Sequence, residues 1–549
     1  MIIWFFLACA PEPAPKAAPP ARAKPPHPNV LLISIDTLRA DHTTPGGYAR
    51  DTTPVMAAMA AEGTTFKNAF SQANESAWSH AALMTGRYAT ELAAPVYATY
   101  AIPKDVTLLP EALGAYGYAT GAFSAGGHVT GDYGYDQGWD HWSAEPGFGS
   151  FFDTGPRAVD WISKVPEGKP WFVFLHGYDA HRPYSRPGPW NHLYAEGDGS
   201  PLAETMCKNP CISEMVLKDS LFPDIVPTWF THSGGDSILD PDTYKRLAAA
   251  GKDASRVQLT AADKQHIQDH YDGAVRYADT MLGLTLERLE AMGQLEDTVV
   301  LLLSDHGEDL LDHGYMNHRT GLFDSCTHVP LVAWGPGFEG GGAVDGLVDA
   351  RDVAHTILSV AGATPPAGSA GRDLREVRTG ASPVEAVFAE GVMDMITVRT
   401  ATHRLVYKEA SLLEKDYVAT LAATPPDSPH FELYDLTTDP REQTDVHLAD
   451  PATTTTLRDA LVAWRKSIRV GTNAIAPDQV SPEVLADLRK HGYFDNQPDG
   501  PIPMPESKAP AGGAPPGPAA PAPAGTAILP PANDAACRER FNFMPTPPG

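Results

Sequence analysis

Cysteine is scarce, five residues in 549. That is too few for a dense disulfide framework, so the fold has to stand on a hydrophobic core. Basic residues are outnumbered, 41 Lys and Arg against 68 Asp and Glu, for a formal net charge of −27. No broad cationic surface is left to neutralise a phosphate backbone, which argues against nucleic acid as a partner. Long apolar runs are also few: Met1 to Ala8 is apolar but too short to span a bilayer, and no Lys or Arg precedes it. An acidic chain that acts on anions must gather positive charge locally, as a metal ion or a few Arg, Lys and His side chains in one pocket.

What is present begins with that apolar run meeting Cys9 after Leu7-Ala8, followed by a Pro/Ala-rich stretch. The junction resembles a bacterial lipoprotein signal, which implies export to the cell envelope and a lipid anchor at Cys9; an ordinary cleaved signal is the other reading. Composition and pattern then divide the chain into a signal segment 1–9, a spacer 10–28, a main folded domain 29–375 with an insertion at about 190–262, a C-terminal subdomain 376–470, and a tail 471–549 with a second Pro/Ala-rich stretch. Cys207 and Cys211, in MCKNPC, are close enough for a loop disulfide, and without partner histidines they argue only weakly for zinc. Cys326, beside an apolar segment, reads as a buried thiol.

Short apolar runs at 29–35 (NVLLISI), 172–176 (FVFLH) and 298–304 (TVVLLLS) suit strands buried on both faces. Helical patterns alternate with them, the longest over 262–293, where Ile267, Tyr271, Val275, Ala278, Leu282, Leu286 and Leu289 recur at helical spacing before Gly293. Strands separated by helices predict an α/β fold, a doubly wound and mostly parallel sheet flanked by helices. A small C-terminal α+β subdomain follows, with strands in AVFAEG and ITVRTATHRLVYK, a turn region at ELYDL and a helix near 453–469.

Ligands gather at the carboxyl ends of such strands. The first run ends in Asp36-Thr37, the second continues into HGYDAHRP, and the third ends in SDHGED. If the strands are neighbours, Asp36, Asp305 and His306 offer hard oxygens and one imidazole to a divalent cation. A helix opening at NESAWSHAALMTGR brings the Ser76 hydroxyl to a helix N-terminus, where backbone N–H groups favour an anion. Bland readings stand beside each: an Asp after a strand often caps a turn, Ser76 or Ser79 suits an N-cap, His306 and His313 suit turns, and Asp309 and Asp312 read as a solvated acidic face.

NVLLISIDTLRADH, the TGR-closed helix, SDHGE and ELYDLTTDPREQTD resemble, in the same order, landmarks of the sulfatase family of the alkaline phosphatase superfamily over about 29–465. The resemblance implies that Asp36, Asp305 and His306, joined by Thr37 where the family has a second Asp, bind a divalent metal (Ca, Mg, Mn or Zn), and that Ser76 attacks. His181, in DAHRP, matches the family's substrate-contacting histidine. His318 and Arg319 fall where the family places a histidine or lysine at the transferred group, and His318 is a candidate to protonate the leaving group. His80, His181 and Arg319 are candidates to hold nonbridging oxygens.

Where sulfatases carry CxPxR, whose first residue becomes formylglycine, this chain reads Ser76-Ala77-Trp78-Ser79-His80, without the proline or the arginine. A plain serine hydroxyl is therefore the expected nucleophile. The implied substrate is a small anionic ester, sulfated or phosphorylated: a glycan, a lipid head group or a small molecule. A phosphodiesterase, a phospho-head-group transferase and a noncatalytic envelope protein that only binds such ligands remain alternatives.

Overall fold

The computed structural model describes residues 24–92, 101–195, 199, 203, 207, 261–313, 316–319, 321–391, 395–408, 417–469 and 471. Cys9 and the signal segment, most of the first spacer, most of the 190–262 insertion, Cys211 and most of the tail lie outside the described residues.

The strands in chain order are β1 (Asn29–Ile35), β2 (Thr64–Phe70), β3 (Ala119–Ser124), β4 (His141–Ala144), β5 (Trp171–Gly177) and β6 (Thr298–Leu303). A two-stranded ribbon, β7 (Asp309–Leu310) and β8 (Met316–Asn317), precedes β9 (His328–Val329), β10 (Leu331–Trp334) and β11 (Ala343–Asp349). Leaving out the ribbon, these form one mixed nine-stranded sheet ordered β11-β2-β10-β6-β1-β5-β3-β4, with β9 on β2. The run β6-β1-β5-β3-β4 is parallel throughout, and β10 is antiparallel to both neighbours.

The apolar runs are continuous because both faces are covered. Val30 and Leu32 of β1 point into one core with Phe172, Phe174, Val299 and Leu301. Leu31, Ile33 and Ile35 point into the other with Val173, Leu175, Val300 and Leu302. Helices Ser76–Thr85 and Arg351–Val360 feed the first core; helices Phe151–Ser163 and Ala261–Ala291 feed the second. All seven apolar residues expected along the long helix are buried there. That helix ends with Gly293 in the left-handed region at φ 65, and the N–H of Gln294 returns to the Leu289 carbonyl.

The separate antiparallel sheet is β12 (Ala386–Gly391), β13 (Met395–Thr400), β14 (His403–Lys408) and β15 (Phe431–Asp435), in that order. ITVRTATHRLVYK is thus a hairpin rather than one strand. The expected turn at ELYDL is instead mostly strand β15, because Phe431, Leu433 and Tyr434 are buried and its backbone pairs with β14. Asp309 and Asp312 also depart from expectation. Asp309 is buried beside His313 at 2.7 Å, and Asp312 pairs with the buried Arg39.

Candidate active site

Register brings the three tips level: Ser34 of β1 pairs with His176 of β5 and with Leu303 of β6, so Asp36 and Asp305 leave the sheet side by side. Ser304 sutures the two tips, its Oγ accepting from the Leu38 N–H at 2.8 Å and lying 2.6 Å from the Ile35 carbonyl. Thr37 takes a left-handed conformation at φ 58, and its N–H reaches Asp305 Oδ1 at 3.3 Å. The Thr37 hydroxyl donates to the Asp36 carbonyl at 2.7 Å, so it lies at the site's edge with its hydrogen already engaged.

Ser76 is not an N-cap. Glu75 caps helix Ser76–Thr85, its carboxylate accepting from the Ala77 N–H at 3.0 Å, and Ser79 Oγ lies 3.1 Å from the Glu75 carbonyl. With the cap supplied by its neighbour, Ser76 turns its hydroxyl inward: Oγ donates to Asp36 Oδ2 at 2.9 Å and lies 3.2 Å from His306 Nε2. Glu75 also meets His128 Nδ1 at 2.5 Å; although burial opposes it, His128 and Arg319 hold the carboxyl down at about 2.

Asp36, Asp305 and His306 present ligand atoms within 4.8 Å of one another, all buried. His306 Nδ1 lies 2.9 Å from the Gly307 carbonyl, which can only accept, so the ring hydrogen sits there and Nε2 faces the carboxylates as a lone pair. Asp36 Oδ1 is buried with no hydrogen-bond partner. Burial, and then the charge of Asp305, push the Asp36 carboxyl well above the usual range. Two buried carboxylates, an orphaned oxygen and an oriented imidazole fit a divalent cation.

The remaining sequence candidates divide. His80 lies behind Ser76 rather than over it: Nδ1 meets the Ser76 carbonyl at 2.8 Å and Nε2 meets Ser34 Oγ at 2.9 Å. Both ring nitrogens are engaged within the protein, linking helix Ser76–Thr85 to β1, rather than turned toward the space beside Ser76 Oγ. His181 and His318 come together, ring centroids 5.6 Å apart, and His318 lies 4.2 Å from the His306 ring. Each directs Nδ1 at an acceptor, His181 at the Arg182 carbonyl (2.6 Å) and His318 at Glu308 Oε1 (3.1 Å). Burial holds both rings well below the usual imidazole range, so at neutral pH neither carries the second proton needed to donate from Nε2. Arg319 is buried on the Glu75 side.

Sequence reasoning missed His176, Glu308, Arg39 and Arg182. His176 ends the β5 run, buried, with Nε2 3.6 Å from Asp36 Oδ2; its place as a polar residue closing an apolar strand was the available signal. Arg39 and Arg182 carry no local signal, since their charges are sequestered by burial.

A family model for Sulfatase matches residues 28–363, more than half of the chain. The chain belongs to the sulfatase family. That family lies within the alkaline phosphatase superfamily. Among relatives of this sulfatase-family chain, arylsulfatase K of Mus musculus is 24% identical over 383 residues, 66% of each chain, so the match spans slightly less than two thirds of that relative. A structure solved in complex with its substrate D-glucosamine-2-N,6-O-disulfate superposes with a TM-score of 0.61 at 19% identity, covering 80% of this chain and 98% of the other. The phosphonate monoester hydrolase of Agrobacterium radiobacter gives 0.61 at 21% identity over 80% and 96%. At these identities the two structures speak for the fold.

Proposed function

We propose that this protein is a metal-dependent hydrolase of sulfate or phosphate esters in which the unmodified hydroxyl of Ser76 is the nucleophile. The observation that carries the reading is Ser76 Oγ, held 2.9 Å from Asp36 and 3.2 Å from His306 at the mouth of the carboxylate pair. A divalent cation held by Asp36, Asp305 and His306 supplies Lewis acidity that polarises the ester oxygens and lowers the pKa of the Ser76 hydroxyl. Ser76 Oγ attacks phosphorus or sulfur in line, the alcohol leaves, and water then cleaves the seryl ester. Asp36 fixes the hydroxyl's direction before attack. His181 and His318 meet the nonbridging and leaving oxygens; the negative charge of the arriving anion favours their protonated form, which turns Nε2 of each into a donor.

A serine sulfate resists hydrolysis at its carbon–oxygen bond, and formylglycine evades that problem by eliminating sulfate from a hydrate. The plain hydroxyl therefore favours phosphate or phosphonate esters, in keeping with the phosphonate monoester hydrolase fold. Sulfated sugars are the second reading, supported by the glucosamine disulfate complex and by the N-acetylglucosamine-6-O-sulfatase of Bacteroides thetaiotaomicron, 23% identical over 483 residues. Export and lipid anchoring at Cys9 belong to the same proposal and rest on the N-terminal sequence alone. Intact-protein mass spectrometry is expected to find Ser76 unmodified, and nitrophenyl phosphate, bis-phosphate and sulfate assayed with and without added divalent metal are expected to rank phosphate first. Formylglycine at 76 would reverse that ranking, and no turnover of any ester would leave only ligand binding.

A further inference from the structure

A second group of metal-ligating side chains lies outside the catalytic cluster. His266 and His270 are four residues apart on helix Ala261–Ala291, so both imidazoles project from one face. Cys207, a helical residue within the insertion, meets that face. One ligand atom from each of the three lies within 4.8 Å of the others, and the residues are 0%, 6% and 2% exposed in the order Cys207, His266, His270. Gly199 packs on the same histidine: a Cβ there would stand 2.6 Å from His266 Nε2, a fit only glycine allows without something shifting.

We infer that Cys207, His266 and His270 form a structural zinc site, distinct from the catalytic cluster, that fastens the insertion to the long helix. The donor set is the reason. A thiolate with two imidazoles is soft and tetrahedral in preference, which suits Zn2+ and does not suit Ca2+ or Mg2+; the catalytic cluster, with two carboxylates and one imidazole, is the harder of the two. No histidine stands near Cys207 along the chain; the fold supplies two from more than fifty residues away. Binding deprotonates the thiol, so one proton is released to solvent for each ion bound.

The site has a route to the catalytic wall. The Cys207 carbonyl accepts from the Tyr184 N–H at 2.9 Å, and the Tyr184 ring packs edge-on against Tyr271 at 5.5 Å. The Tyr271 hydroxyl reaches the Thr37 carbonyl at 2.7 Å. Fastening Cys207 to the helix therefore holds the segment that carries His181 and Arg182 against the β1 tip.

Cobalt substitution of the full-length protein separates the two sites, because only a thiolate ligand gives a sulfur-to-cobalt charge-transfer band in the near ultraviolet. The wild type loaded with Co2+ is expected to show the band, Asp305→Asn to retain it, and Cys207→Ser and His270→Gln each to lose it together with one equivalent of bound zinc. If the variants fail to fold, alkylation of the wild type serves instead: peptide mapping is expected to find Cys207 protected with Zn2+ present and modified after chelation. A wild type without the band, a band that survives Cys207→Ser, or a mapped Cys207–Cys211 disulfide would overturn the proposal.

Discussion

Ser76 has one hydroxyl hydrogen, and the two atoms nearest its Oγ, Asp36 Oδ2 and His306 Nε2, both accept. Its lone pairs, not its hydrogen, are therefore what the site has to offer an electrophile. Ser76→Ala is expected to lower kcat by roughly 10⁴-fold or more with little change in melting temperature, since only a hydroxyl is lost. Glu308 acts one step back, through His318 Nδ1 at 3.1 Å; burial has pushed its carboxyl up to about 7. Glu308→Gln keeps an acceptor for that nitrogen and is expected to cost a few-fold in kcat, while Glu308→Ala, which releases the ring, costs about 10–100-fold. Equal losses in the two variants would mean that Glu308 does not position His318. Asp36, Asp305 and His306 were legible because a polar residue closing an apolar strand announces itself. Glu75 as the true cap was not, because a serine beside a helix start offers the same chemistry as a capping residue, and only coordinates decide which one turns inward.

At the scale of elements, helix Pro54–Glu62 begins without a cap of its own, for the Thr53 hydroxyl makes no capping hydrogen bond and accepts instead from the Thr44 N–H at 2.8 Å. The cap comes from the long helix instead: Asp279 accepts from the N–H groups of Val55 at 2.9 Å and Met56 at 3.0 Å. Burial raises the Asp279 carboxyl to about 7, against those two hydrogen bonds and Arg276. A carboxyl near 3.9 in the unfolded chain and raised in the folded one binds more protons when folded. Its contribution to stability is complete below about pH 4 and fades as pH rises through about 7. Urea midpoints at about pH 5 and about pH 8 are expected to fall more steeply in the wild type than in Asp279→Asn, and parallel behaviour would show that Asp279 does not titrate there. Asp279→Ala removes the cap outright, at about 1–2 kcal/mol. The two helices were readable from their surroundings to different degrees. The long one shows seven apolar residues at a helical period, whereas a cap lent from a partner more than two hundred residues away leaves no local trace. The ELYDL segment misled for a related reason: its Asp and turn-like continuation are local, and the strand partner that overrides them is not.

For the whole molecule, the net charge of −27 means that positive groups have to be placed where they matter. Several are buried. Arg404 of β14, 1% exposed, pairs with Asp324 and with Glu442 and donates to the Leu322 carbonyl, which ties the small sheet to the large one. Although burial opposes it, Arg404 and Arg399 hold the Asp324 carboxyl well below its usual range. The tie continues inward, for the Ser325 and Cys326 carbonyls that follow Asp324 accept from the N–H groups of Glu308 at 2.9 Å and Gly307 at 2.8 Å, next to His306. Removing Arg404 strands carboxylates inside the interface, so Arg404→Ala is expected to cost about 3–5 kcal/mol. Arg404→Met with Glu442→Gln, which removes charge from both sides of the pair while keeping volume, is expected to cost much less than the single change predicts. Because the same tie steadies the loop bearing His306, the single variant is expected also to need more divalent metal for half-maximal activity, and the double variant to recover part of that loss. If Arg404→Ala loses stability while its metal requirement matches the wild type, the small sheet supports the large one without reaching the site.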